Sequence, residues 1–164
     1  MRPLSQDFRD LLSCFNSSGV RYVLVGGYAV NYYGHHRNTK DIDLWIAVSP
    51  ENAERVSQAL QAFGFSPTGA AAEKFLEVGI VHAFGREPFR VDILTAPSGV
   101  EFDACWERRT KGDLDGVAVP MISFEDLLAN KIASARPKDL LDVGELKRLK
   151  TVSEVRPKRP RKRP

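Results

Sequence analysis

The sequence predicts an α/β (α+β) fold, a mixed β-sheet flanked by helices with further helices at the C-terminal end. Three observations predict it. A run rich in β-branched and aromatic residues, 20–25, stops at Gly26-Gly27 and is followed by a helix-compatible stretch. Asp41-Ile42-Asp43-Leu44 alternates polar and apolar residues, so a strand there buries Ile42 and Leu44 and turns both aspartates to one face. Residues 75–84 and 89–94 flank the turn segment Gly85-Arg86-Glu87-Pro88 and read as a hairpin. Antiparallel pairing therefore accompanies any parallel pairing.

The elements follow in order. Phe8, Leu11, Leu12 and Phe15 form a helical stripe within residues 5–15. The strand to Gly26 comes next, then a short helix over 28–34 that Gly34 closes. A polar loop over 35–40 leads into a strand spanning 42–48. Ser49 caps, and Pro50 opens, a helix through Val56, Leu60 and Phe63 that stops at Gly64. A Gly- and Ala-rich loop over 66–72 precedes the hairpin. Residues 102–109 read as helical and 115–120 as a short strand. Ser123, with Asp126 three residues on, opens a helix reaching Ala135, and Pro137 opens the last one, over 138–150. No internal repeat is visible.

The chemistry concentrates on acids and glycines. Packing gives no reason to place Asp41 and Asp43 side by side, whereas an oxygen-preferring divalent cation such as Mg²⁺ does. Alternation alone also yields an amphipathic strand with its polar face in water. A strand ending in Gly26-Gly27 offers backbone N–H groups without a Cβ in the way, an arrangement suited to phosphate. No Gly-Lys-Ser/Thr follows, which excludes a Walker A loop. Asp92, an isolated acid between Val91 and Ile93, reads either as a solvent-facing polar residue or as the third member of a metal-binding triad. Arg37 and Lys40 flank the acids and either reach phosphates or balance Asp41 and Asp43. Trp45 and Trp106 read as packing residues, and His35 and His36 as an ordinary surface loop.

With these positions the chain resembles the nucleotidyltransferase superfamily. The signature there is a hydrophobic residue, a glycine pair, a short gap, Asp-x-Asp and a later acid, matched by Val25-Gly26-Gly27, Asp41-Ile42-Asp43 and Asp92. The segments 119–131 and 135–143 look like the C-terminal helices of small abortive-infection toxin-type (AbiEii-like) transferases. The resemblance implies transfer of a nucleoside monophosphate from an NTP, ATP among them, to an acceptor hydroxyl of RNA, tRNA or protein. It implies two Mg²⁺ ions held by the catalytic acids Asp41, Asp43 and Asp92. Nucleotide binding would fall to Gly26, Gly27, Arg37, Lys40 and Lys131, and an antitoxin would be a partner. A non-catalytic nucleotide- or RNA-binding module of the same fold is the alternative from another class. A small-molecule (antibiotic) nucleotidyltransferase is a third reading. Two departures stand out: Gly27 replaces the serine of many relatives, and the chain lacks their large second domain.

Composition sets the frame. The chain has 164 residues, 43% hydrophobic and 27% charged, ordinary for one globular domain. No apolar run approaches a membrane span, and two cysteines, Cys14 and Cys105, read as reduced thiols, so a cytoplasmic location without membrane contact is expected. The charge is uneven. Residues 1–150 form the expected domain, mildly acidic, whereas 151–164 carry six Lys/Arg against one Glu. Bases alternating with prolines predict a disordered arm that either contacts nucleic-acid phosphates or is a solvated extension.

Overall fold

The predicted apolar stripe becomes α1 (Gln6–Ser17), where the Ser5 hydroxyl accepts from the Phe8 N–H and Phe8, Leu11, Leu12 and Phe15 are buried. The computed structural model describes residues 3–155. The basic positions of the expected tail, Arg156 through Arg163, lie outside the described residues. β1 (Tyr22–Val25) is buried at all four positions, as a central strand covered on both faces must be. α2 (Gly26–Tyr32) starts on the glycine pair itself, β2 (Asp41–Ile46) follows the polar loop, and α3 (Pro50–Phe63) runs from the Ser49 cap to Gly64 at φ 125. A 3₁₀ turn (Ala72–Phe75), β3 (Val81–Arg86), β4 (Phe89–Leu94) and α4 (Phe102–Arg108) lead to a second hairpin. That hairpin is β5 (Thr110–Leu114) and β6 (Val117–Met121), and α5 (Phe124–Ser134) and α6 (Pro137–Val155) complete the order.

The six strands form one mixed sheet in the order β3-β4-β2-β1-β6-β5. β1 runs antiparallel to β2 and parallel to β6, and β2 runs parallel to β4, while both edge strands pair antiparallel through hairpins. Trp45, Tyr22, Phe15 and Phe75 are the bulkiest fully buried side chains. Phe8 meets both Tyr28 and Phe89, and Phe63 stacks on Phe89 with centroids 5.3 Å apart, which joins α1, α2 and α3 to the sheet. Each fully buried side chain, such as Phe15 or Phe75, contributes on the order of 1.5–3 kcal/mol. No helix among the described residues is long and apolar enough to cross a membrane.

Three elements depart from expectation. β3 begins at Val81 rather than near Phe75: Gly79 turns the chain at φ 86, and Phe75 is buried from a 3₁₀ turn instead. β5 was not expected, because Lys111-Gly112-Asp113 is poor in strand formers. Its pairing is set by Asp115 and Gly116, at φ 50 and 86, a two-residue turn of the kind that suits the twist of a hairpin. Asp113 accepts the Gly116 N–H at 2.9 Å and tightens that turn. Finally, α6 continues five residues past Lys150, since no glycine or proline interrupts 151–155.

Candidate active site

Strand pairing assembles the acids. On the parallel pair β2–β4, Asp41 is the register partner of Arg90 and Asp43 that of Asp92, so the three aspartates and Arg90 share one sheet face. The opposite face holds Ile42, Leu44, Val91 and Ile93, all fully buried. On the other side of β2, Asp43 pairs with Val25, which brings the glycine turn beside its carboxylate. Gly26 has φ 68, and a Cβ there would overlap Asp43 Oδ2 and lie 2.7 Å from its Cγ. A Cβ on Gly27 would sit 2.5 Å from Thr39 Oγ1. Both glycines are thus required by side chains crowding the turn, a reason additional to any approach of phosphate.

All eight sequence-predicted site residues, Gly26, Gly27, Arg37, Lys40, Asp41, Asp43, Asp92 and Lys131, line a single cleft of about 670 Å³. Asp43 titrates at about 6, raised first by burial and then by the neighbouring charges of Asp92 and Asp41. Lys131 and the Gly27 N–H pull the other way without prevailing. Asp41 Oδ1 is buried with no hydrogen-bond partner. An orphaned buried carboxylate oxygen beside a second, reluctantly ionised carboxylate is a hard-oxygen donor set that fits a divalent cation. Among the described residues no three His, Cys, Asp or Glu side chains are gathered about one metal-sized point. Asp92 is instead engaged by Arg90, at 3.0 Å from Nε and 3.3 Å from Nη2.

The basic residues of the cleft are paired with acids. Lys131 is buried, with Nζ 2.7 Å from Asp139 Oδ1 and 3.0 Å from Asp142 Oδ2. Those two aspartates are three apart on α6 and so face α5 together. Asp142 also accepts a two-pronged guanidinium from Arg37, at 2.8 and 2.9 Å, while Asp139 accepts Arg136 Nε at 2.6 Å. The Lys138–Asp142 pair that helical spacing permits is absent, because Asp142 points inward to Arg37 and Lys131. Arg37 is further pinned by Asn31, whose amide donates to the Arg37 carbonyl and accepts its N–H, both at 3.0 Å. His35 Nε2 approaches Asp142 at 3.6 Å. Lys40 pairs with Glu87 at 2.9 Å on the surface. Trp45 is buried, and Trp106 stacks between Phe102 and Arg109 as a packing residue. Both cysteines are free, Cys105 being buried.

Sequence reasoning missed Arg90, Asn31 and Thr39. Arg90 was readable from strand alternation, two residues before Asp92; Asn31 and Thr39 act through tertiary contacts that carry no local pattern.

A mixed sheet with a glycine turn against an Asp-x-Asp strand, and a third acid on the adjoining strand, is the architecture of a nucleotidyltransferase. The chain belongs to the family described as "Nucleotidyltransferase of unknown function (DUF6036)", which it matches over residues 3–154. Comparison with curated proteins gave no match. Among solved structures it is similar to the lincosamide antibiotic adenylyltransferase LnuA, lincomycin-bound, at 19% identity and a TM-score of 0.59, covering 91% of this chain and 99% of that one. It is similar also to an antigenic nucleotidyltransferase-like protein from Paracoccidioides brasiliensis, at 18% identity and a TM-score of 0.57, over 92% of this chain and 79% of that one. A third is the antibiotic-resistance factor ANT(2'')-Ia in solution, at 15% identity and a TM-score of 0.55, over 90% and 82% of the respective chains. At these identities the likeness is one of fold.

Proposed function

We propose that this protein transfers a nucleoside monophosphate from an NTP to an acceptor hydroxyl. The acceptor oxygen forms a bond to the α-phosphorus, the bond to the bridging oxygen breaks, and pyrophosphate leaves. The observation that carries the reading is the acid face: Asp43 raised to about 6 and Asp41 with an unpartnered buried oxygen, on the wall of a cleft that also contains the glycine turn. Acids held so poorly satisfied have no value to the fold and suit a cationic ligand.

Asp41 and Asp43 are the residues to hold Mg²⁺, with Asp92 as the third acid, either sharing a second ion or accepting the proton of the acceptor hydroxyl. Bound there, Mg²⁺ supplies charge neutralisation and polarisation of the phosphates. Gly26 and Gly27 keep the turn low, so that the phosphate tail lies against backbone. Arg37 and Lys131, fixed by Asp142 and Asp139, form a rigid cationic wall, and Lys40, exposed and held only by Glu87, is free to swing toward the nucleotide. Positioning and electrostatics are the main work of such a site. An NTP substrate fits the cytoplasmic location expected from the sequence.

For the acceptor, a small hydroxyl-bearing molecule is the reading favoured here. The cleft of about 670 Å³ is of small-molecule size, and an antibiotic adenylyltransferase of matching length has the same fold. RNA, tRNA or protein is the second reading, resting on the basic C-terminal arm and on the toxin-type resemblance, which also brings in an antitoxin partner. The test is incubation with Mg²⁺ and each α-phosphate-labelled NTP, against hydroxyl-bearing antibiotics, total RNA and protein. Label in the small-molecule fraction is expected; label in RNA or protein selects the second reading. No label from any NTP in any fraction overturns transfer and leaves a binding module.

A further inference from the structure

Arg90 sits among the acids, and the reaction outlined above gives it no task. It precedes Asp92 by two residues on the same strand and faces Asp41 across the β2–β4 register. Its guanidinium grips Asp92 with two nitrogens, Nε at 3.0 Å and Nη2 at 3.3 Å, and Nε lies 4.0 Å from Asp41 Oδ2. A fork of this kind uses both carboxylate oxygens of Asp92. The other basic side chains beside the acids are engaged elsewhere, Lys131 by Asp139 and Asp142, and Lys40 by Glu87. Unlike Lys131, Arg90 is not walled in: its side chain is 42% exposed, against 5% for Lys131. It can leave Asp92 with little loss of packing.

We infer that Arg90 is an internal counter-ion that holds Asp92 in the free protein and releases it when nucleotide and divalent cation arrive together. This rests on the metal-dependent reading above. With Arg90 in place, the free protein offers an ion two carboxylates and an opposing positive charge. Mg²⁺ binds through one or two carboxylates plus substrate phosphates and gives up its waters reluctantly, so two acids without phosphate form a weak site. A triphosphate changes both sides of the exchange, bringing oxygen ligands for the ion and an anionic partner for the displaced guanidinium, which matches phosphate geometry. Ion binding and nucleotide binding are thereby coupled, each strengthening the other by the same factor. In the free protein Arg90 acts through Asp92, and once displaced its guanidinium pairs with phosphate.

The test is Mn²⁺ titration, followed by the paramagnetic resonance signal of the free ion. It is run on the wild type, Arg90→Gln and Arg90→Lys, each with and without α,β-methylene-ATP. Arg90→Gln is expected to tighten Mn²⁺ binding to the nucleotide-free protein about tenfold, one decade of affinity being about 1.4 kcal/mol. The gain in ion affinity on adding the analogue should be large in the wild type and shrink in Arg90→Gln. Arg90→Lys, which keeps the charge but not the fork, should fall between. Unchanged or weaker Mn²⁺ binding by nucleotide-free Arg90→Gln, with the wild type binding normally, overturns the counter-ion role and leaves the metal site standing. Absence of Mn²⁺ binding by the wild type even with analogue overturns the metal-dependent reading and this inference with it. Thermal melting establishes that each variant is folded; should Arg90→Gln fail, Arg90→Lys carries the comparison, and wild-type affinity in it overturns the role.

Discussion

Asp139, on the cleft wall, and Asp142 behind it have the least exposed carboxylates of the set, each with a side chain 1% exposed, and each is fully paired. Asp41, Asp43 and Asp92 are more open, and they are served worse. Burial alone would raise Asp139, but hydrogen bonds from Arg136 and Lys131 outweigh it and hold the group at about 2. Burial likewise opposes ionisation of Asp142, and Arg37 and Lys131 bring it below the usual carboxylate range. For Asp43 burial and two like charges act together, and the group rises to about 6. Exposure therefore does not set which of these acids is strained. The balance of partners separates the two sets: the α6 pair is neutralised by the chain's own cations, whereas on β2 Asp43 is raised and Asp41 Oδ1 has no partner.

The largest expected effect breaks the satisfied side. Lys131→Met leaves two buried carboxylates short of their shared partner, and removal of one member of a buried ion pair costs about 3–5 kcal/mol. Urea denaturation should read that loss; a variant as stable as the wild type would mean that the α5–α6 network is not structural. The network has a pH signature as well. Asp139 is depressed in the folded state, so its contribution is complete above the unfolded carboxyl value near 4 and fades as pH falls toward 2.

Asp43 carries the opposite sign. The folded protein holds its proton more tightly than the unfolded chain does, so stability falls as pH rises from 3.8 toward 6. A shift of that size corresponds to up to about 3 kcal/mol at neutral pH. Asp43→Asn, which keeps the shape without the charge, should remove this decline, matching the wild type near pH 4 and exceeding it at pH 8. Parallel stability–pH curves for the two proteins would deny that Asp43 is strained.

Gly26→Ala should come next. A positive φ with a Cβ costs about 1–2 kcal/mol, and the added methyl meets Asp43 directly. Melting should fall modestly while NMP transfer is lost, and activity at the wild-type level would remove the glycine turn from the site. Lys40→Ala should be the mildest. The pair with Glu87 is solvent-exposed on both sides, and such pairs contribute little to stability. The melting temperature should stay put while the KM for NTP rises, and an unaltered KM would strike Lys40 from the nucleotide contacts.

Much of this contrast was legible in the chain. Strand alternation put Asp41 and Asp43 on one face, and Ser49, Pro50, Gly64 and Ser123 marked helix ends that the structure keeps. The hairpin Asp115-Gly116 was overlooked because a turn signal was read as part of a strand. The partners of Lys131 were legible only in outline, since the spacing of Asp139 and Asp142 shows that they share a helix face but not what they face. Arg37 reaches Asp142 across 105 positions of sequence, a pairing that no local pattern encodes. The same holds for the crowding of Gly27 by Thr39, which depends on how the 35–40 loop folds back over α2.

The central claim, that the β2 acids are kept unsatisfied for a ligand, is tested most directly by thermal melting at pH 8 of the wild type and Asp43→Asn, with and without Mg²⁺ and α,β-methylene-ATP. Without ligand the variant should melt above the wild type. On adding ligand the wild type should rise clearly and the variant scarcely at all, because a charge that strains the empty protein is the one that binds the filled one. A variant that melts below the wild type when empty, yet gains as much from the ligand, would contradict the account.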